Sequence, residues 1–98
     1  MSHPVLEPGN VAVVTGGASG IGRGVAKALV ARGLRVAIAD VDEAKLEATR
    51  AELAAEAVDG EAAVLARRVD VSQLPELETL RDATREAFGR VDFLMNNA

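Results

Sequence analysis

The sequence predicts an α/β fold built on a parallel sheet. Three observations lead there. Short β-branched runs alternate with stretches of helical period, the alternation recurs about every 25 to 30 residues, and a glycine-rich turn joins the first run to the first helical stretch. Parallel neighbours need long crossover connections, and helices of this length supply them, so the order reads βαβαβαβ.

Val11-Ala12-Val13-Val14 is short, continuous and apolar, as a strand buried on both faces should be. From Gly20 to about Arg32 the period changes. Ile21, Val25, Ala28 and Leu29 recur at i, i+4, i+7 and i+8, and Gly33 stands where a helix would stop. Arg35 to Ala39 is the second strand, closed by Asp40. A second helix runs from Asp42, its N-cap, to about Val58, with Leu46, Leu53, Ala54 and Ala57 facing inward and Asp59-Gly60 ending it. Ala63 to Ala66, with Val69, forms a third and weaker strand interrupted by Arg67 and Arg68. Ser72 is expected to cap a third helix, which tolerates Pro75 in its first turn, turns Leu77, Leu80, Thr84, Ala87 and Phe88 inward, and ends at Gly89. Val91 to Met95 is the fourth strand.

With 98 residues, 49% hydrophobic and 27% charged, the chain suits a single globular domain rather than a disordered segment. It holds no cysteine and one histidine, His3, in an expected flexible tail over residues 1–9. That removes disulfides, thiolate metal sites and cysteine nucleophiles, and no metal is expected. The net charge of -4 repels phosphate backbones, and Phe88 and Phe93, the only aromatics, give no platform for stacked bases. Neither nucleic acid nor a membrane is expected as a partner. No apolar run approaches the roughly 18 residues that span a bilayer, and the start lacks signal-peptide character, so a cytoplasmic protein is the default.

The chemistry concentrates in Thr15-Gly16-Gly17-Ala18-Ser19-Gly20-Ile21-Gly22, where backbone amides converge with the positive end of a helix dipole. Glycines admit a pyrophosphate where a Cβ would block it. Asp40 ends the second strand about 20 residues on, where dinucleotide-binding folds place an acid against the adenosine ribose hydroxyls. A carboxylate there repels a 2'-phosphate, and neither Ser19 nor Val41 offers a compensating cation. NAD is therefore favoured over NADP, with Arg23 and Arg35 the residues that keep NADP open.

The spacing is TGxxxGIG rather than the generic GxGxxG. With Asp70-Val71 after the third strand and Asn96-Asn97-Ala98 after the fourth, the sequence resembles the short-chain dehydrogenase/reductase family over all but its first few residues. Ser19, where the extended branch would want glycine, fits the compact single-domain branch. The resemblance implies a Rossmann-type doubly wound parallel sheet with strand order 3-2-1-4-5-6-7, of which residues 1–98 would be the N-terminal βαβαβαβ portion. It implies that the amides around Gly16, Ser19, Ile21 and Gly22 hold the pyrophosphate, that Gly20 allows its approach, and that Asp40 grips the ribose. By the same resemblance Asp70 faces the adenine amino group, Val71 lies beside the ring, and Asn97 and Ala98 pass close to the cofactor.

The family's Tyr-x-x-x-Lys pair and serine lie downstream of the Asn-Asn-Ala segment, and this chain has no tyrosine. The 98 residues alone are therefore expected to be inactive, and to be the cofactor-binding part of a longer NAD-dependent oxidoreductase acting on an alcohol or ketone, a dimer or tetramer when complete. Its fourth strand should then present Val91, Phe93, Leu94 and Met95 on an open apolar edge. Two other readings share the glycine turn: a non-catalytic dinucleotide-binding or scaffolding module, and a methyltransferase, against which the TGxxxGIG spacing speaks.

Overall fold

A computed structural model describes residues 7–97. His3 and Ala98 lie outside them, so the expectations placed on those two have no structural counterpart here. Among the described residues the elements follow in order: β1 (Val11–Thr15), α1 (Gly20–Ala31), β2 (Arg35–Asp40), α2 (Glu43–Glu56), a short 3-10 helix (Gly60–Ala63), β3 (Val64–Arg68), α3 (Leu74–Phe88) and β4 (Phe93–Asn96). Every strand pair is parallel, and the order across the sheet is β3-β2-β1-β4. Both the parallel sheet and its 3-2-1-4 order agree with the sequence reading.

All of β1 is buried, as its unbroken apolar run requires. Helices cover both faces. Ala12, Val14, Val36 and Ile38 pack beneath α1 and α2, while Val13, Ala37 and Ala39 turn to the other face, where Leu80 of α3 meets them. The alternation within each strand thus divides the apolar side chains between two layers of helix. No described helix is long and apolar enough to cross a membrane. Before β1 begins, the Gly9 amide already donates to the Gly33 carbonyl at 3.0 Å, which ties residue 9 to the loop before β2.

Several expected details shift. The inward stripe of α1 is Gly22, Ala26, Leu29 and Val30, one position on from the stripe anticipated; Ala28 is exposed and Ile21 is 71% exposed. The i, i+4, i+7, i+8 spacing survives; Gly22 takes the place expected of Ile21 because the helix starts tight against the glycine turn, while Leu29 is buried as expected and Val25 packs at the edge of the core. In α2, Thr49 joins Leu46, Leu53 and Ala54 in the interior. The N-cap of α3 is Gln73 rather than Ser72, whose side chain is engaged by Asp70, and Ala87 is exposed. Val69 is buried but lies past the end of β3, and β4 starts at Phe93, with Asp92 before it joined to Val11 by its amide, which donates to the Val11 carbonyl, and by its carboxylate, which accepts from the Val11 amide.

Candidate functional site

A parallel sheet brings the carboxyl ends of its strands to one rim. Here the chain passes from β1 to β2 on one side and later reaches β4 on the other, so the rim beside β1 is a topological switch point, where open α/β sheets bind ligands. The glycine turn fills that position. Gly16 and Gly20 have φ of 65° and 56°, a region that penalises side chains. The Gly17 amide donates to the Ala39 carbonyl at 3.1 Å, which pins the turn to the end of β2. A Cβ on Gly22 would collide with the Gly16 carbonyl oxygen and lie 2.9 Å from Asn97 Nδ2. Helix, turn and post-β4 segment therefore converge at Gly22, and only glycine fits.

In the first turn of α1 the amides of Gly20, Ile21 and Gly22 precede the first intrahelical bond, which runs from the Arg23 amide to the Ser19 carbonyl at 3.3 Å. Among the described residues Ser19 makes no side-chain capping bond to them, and no acidic residue occupies that turn. The arrangement leaves the positive end of the helix available to an anion.

Beside the turn lies a cavity of about 280 Å³. Of the residues anticipated from sequence, Gly16, Ser19, Asp40, Asp70, Val71 and Asn97 border it. Gly20, Ile21 and Gly22 do not; they form the helix start. Two further residues line it: Val41, named from sequence only for carrying no charge beside Asp40, and Val69, named only as part of the third strand. Val41 is an exposed apolar side chain next to Asp40, and that adjacency was the available signal.

Asp40 ties the rim together. Its Oδ2 accepts from the Ala18 amide at 3.2 Å, and its Oδ1 accepts from the amides of Val41 (2.8 Å) and Asp42 (3.3 Å). A carboxylate offers about four acceptor positions, so Oδ2 retains capacity for a hydroxyl. Asp70 is held differently. Its Oδ1 accepts from both the amide (3.0 Å) and hydroxyl (2.7 Å) of Ser72, and its own amide donates to Glu76 Oε1 at 3.1 Å. The Ser72 hydroxyl first, then its amide, and more weakly the nearby Arg68, hold the Asp70 carboxyl below the usual carboxylate range.

Across β1 the end of β4 is secured by one buried hydroxyl. Thr15 Oγ1 donates to Asn96 Oδ1 at 2.8 Å, lies 3.3 Å from the Met95 carbonyl, and accepts from the Asn97 amide at 3.1 Å. Thr15 thereby fixes where Asn97 meets the cavity. At the far end of the same strands, Asp92 Oδ2 accepts from the Val11 amide at 2.9 Å. Sequence reading placed Thr15 in the glycine turn and Asp92 in the fourth strand but missed these roles, since each acts through a partner about 80 positions away.

The cations that kept NADP open are engaged elsewhere. Arg23 pairs with Glu52 at 2.5 Å, joined by Lys27 at 3.2 Å, and Arg35 lies 4.0 Å from Asp59. A fixed carboxylate and a cavity that runs from it to Gly16 and Ser19, beside a helix start whose first amides make no bond within the helix, are what a dinucleotide would need, and the residues fit that group.

Fold and site together define a nucleotide-binding α/β protein of the doubly wound class. Residues 10–98 match the family model for short chain dehydrogenases, and the chain belongs to that family. It is 42% identical over 88 residues to levodione reductase of Leifsonia aquatica, covering 90% of this chain and 32% of that protein. Among solved structures, the C-domain of a bacterial malonyl-CoA reductase with NADP superposes with a TM-score of 0.89 at 39% identity, covering 95% of this chain and 15% of that one. A short-chain dehydrogenase/reductase from Burkholderia phymatum in complex with NAD gives 0.82 at 40% identity, covering 89% and 30%. The chain spans about a third of the length of the curated relatives it matches.

Proposed function

We propose that residues 1–98 are the NAD-binding segment of a cytoplasmic, homo-oligomeric short-chain oxidoreductase. Bound NAD would supply hydride exchange at its nicotinamide ring with the carbinol or carbonyl carbon of an alcohol/ketone pair. In this reading the amides of Gly20, Ile21 and Gly22 neutralise the pyrophosphate, Asp40 Oδ2 accepts from a ribose hydroxyl, Asp70 accepts from the adenine amino group, and Val71 packs on the ring. Asn97 and Ala98 meet the rest of the cofactor. The segment itself has no tyrosine to serve as proton donor, so alone it should bind without turnover.

The observation that carries the choice of NAD is the Asp40 carboxylate, fixed by three amides at the edge of the cavity with no basic side chain among the described residues of the cavity wall. A 2'-phosphate would meet that charge uncompensated. One observation favours NADP instead: Arg23 and Lys45 border a second cavity with Ser19 and Gly20. Arg23, however, is already paired with Glu52.

Calorimetry of NAD and NADP with the full-length gene product is the test. The expected result is NAD tighter by about tenfold or more, inverted when Asp40→Ser is combined with Val41→Arg. Unchanged relative affinities would remove Asp40 from the ribose. NAD binding without any Tyr-x-x-x-Lys in the full sequence would leave a non-catalytic binding module.

A further inference from the structure

The loop between β3 and α3 holds a carboxylate in an asymmetric way. Both Ser72 donors, hydroxyl and amide, converge on the same oxygen of Asp70, Oδ1, at 2.7 and 3.0 Å. Among the described residues no donor reaches Oδ2. The loop around it is fixed from two further directions: the Asp70 amide donates to Glu76 Oε1 on α3, and the Gln73 amide donates to the Asp70 carbonyl at 3.0 Å. Asp70 borders the cavity while Ser72 does not, so Ser72 cannot act by touching an occupant.

We propose that Ser72 is a positioning residue for base recognition: by saturating Oδ1 it leaves Asp70 a single, oriented acceptor, Oδ2, that demands a hydrogen-bond donor from the base in the cavity. This rests on the dinucleotide reading above and deepens it. An exocyclic amino group satisfies that demand. A carbonyl oxygen at the same position sets lone pairs against a carboxylate and is rejected, because a site built around a fixed polar group penalises the partner that leaves it unmatched. The Ser72 bonds also favour the charged form of the carboxyl, so its protonation is moved to more acid pH. Freed of Ser72, the carboxyl could turn, protonate more readily and donate to a carbonyl.

The probe pair is NAD and its deaminated analogue, nicotinamide hypoxanthine dinucleotide, titrated into the full-length protein, its Ser72→Ala and Ser72→Thr variants, with melting temperatures as a check on folding. Wild type should prefer NAD by about tenfold or more. Ser72→Ala should lower that ratio several-fold and lose the remainder at a higher pH than wild type does, while Ser72→Thr, which keeps the hydroxyl, restores both. A ratio unchanged in Ser72→Ala would overturn the role of Ser72 and leave dinucleotide binding intact. Equal affinity of wild type for the two probes would overturn it by removing Asp70 from the amino group. Binding of neither NAD nor NADP would overturn both this proposal and the function on which it rests.

Discussion

Within residues 7–97 the two faces of the sheet are covered unequally. Under α1 and α2 the centre of the layer is closed: Ile38, Val36, Val14 and Leu53 are fully buried, Ala18 of the glycine turn belongs to the same cluster, and the partly buried Val25, Ala57, Ala66, Phe93 and Met95 lie at its margin. Under α3 the layer thins toward β4. Leu65, Val71, Leu77, Phe88 and Val91 are only partly buried, Leu94 is 63% exposed, and a cavity of about 350 Å³ opens between α3 and β4. The glycine turn rests on the dense face. Backbone amides aimed at a ligand need a support that does not yield, and a close-packed layer is stiff where a partly open one can relax.

Truncating one leucine on each face measures that difference directly. Leu53→Ala removes a fully buried side chain from the dense layer, where little can collapse into the gap, and should cost about 4 kcal/mol. Leu80→Ala, next to the existing cavity, should cost about 2 kcal/mol because its neighbours already have room to adjust. Denaturant unfolding of both variants checks it; equal losses would mean that the two faces are equally rigid.

Gly22→Val strikes the point where the dense face meets the site. Its side chain would run into the Gly16 carbonyl and crowd Asn97, so turn or helix must move. A loss of about 3 kcal/mol in stability is expected, together with a fall in NAD affinity of roughly a hundredfold. The two readouts belong together, and a normal melting temperature with normal affinity would show that the turn tolerates displacement.

How far the sequence revealed this molecule divides along the same line. The strands, the glycine turn and Asp40 were legible because each is specified locally: β-branched runs, residues that need positive φ, an acid at a strand end. On the inward face of α1, Leu29 and Val25 were read correctly but Ile21 and Ala28 were not, since hydrophobic spacing registers Ile21 but says nothing of how closely a helix must approach its turn. The roles of Thr15 and Asp92 were invisible for another reason. Thr15 was read as the start of the glycine turn and Asp92 as an ordinary residue of the fourth strand; their work is done across β1 and β4, with partners that only the folded topology supplies.

Thr15→Val tests the first of these cross-strand ties at nearly constant volume. It removes the bond to Asn96 and leaves the Asn97 amide without its acceptor, for a loss of about 1–3 kcal/mol. Cofactor affinity should fall with it, whereas Thr15→Ser, which keeps the hydroxyl, should retain most of both.

The smallest effect separates charge from geometry at the opposite end of the same strands. Arg90 first, and the Val11 amide second, hold the Asp92 carboxyl below the usual carboxylate range. A group whose pKa is depressed in the folded state stabilises it above the unfolded pKa, and that contribution is lost as pH falls through the folded value. Glu47, Glu52 and Asp70 are depressed as well, so the acid slope of the wild type alone cannot be assigned to Asp92. Asp92→Asn isolates it. The amide oxygen still accepts from Val11 but loses the charge that Arg90 meets, for about 1 kcal/mol or less at neutral pH. The difference between variant and wild type should therefore shrink as the pH drops below about 4, toward the depressed value. A difference that stays constant down to pH 2 would show that Asp92 holds β1 to β4 by shape and hydrogen bonding alone.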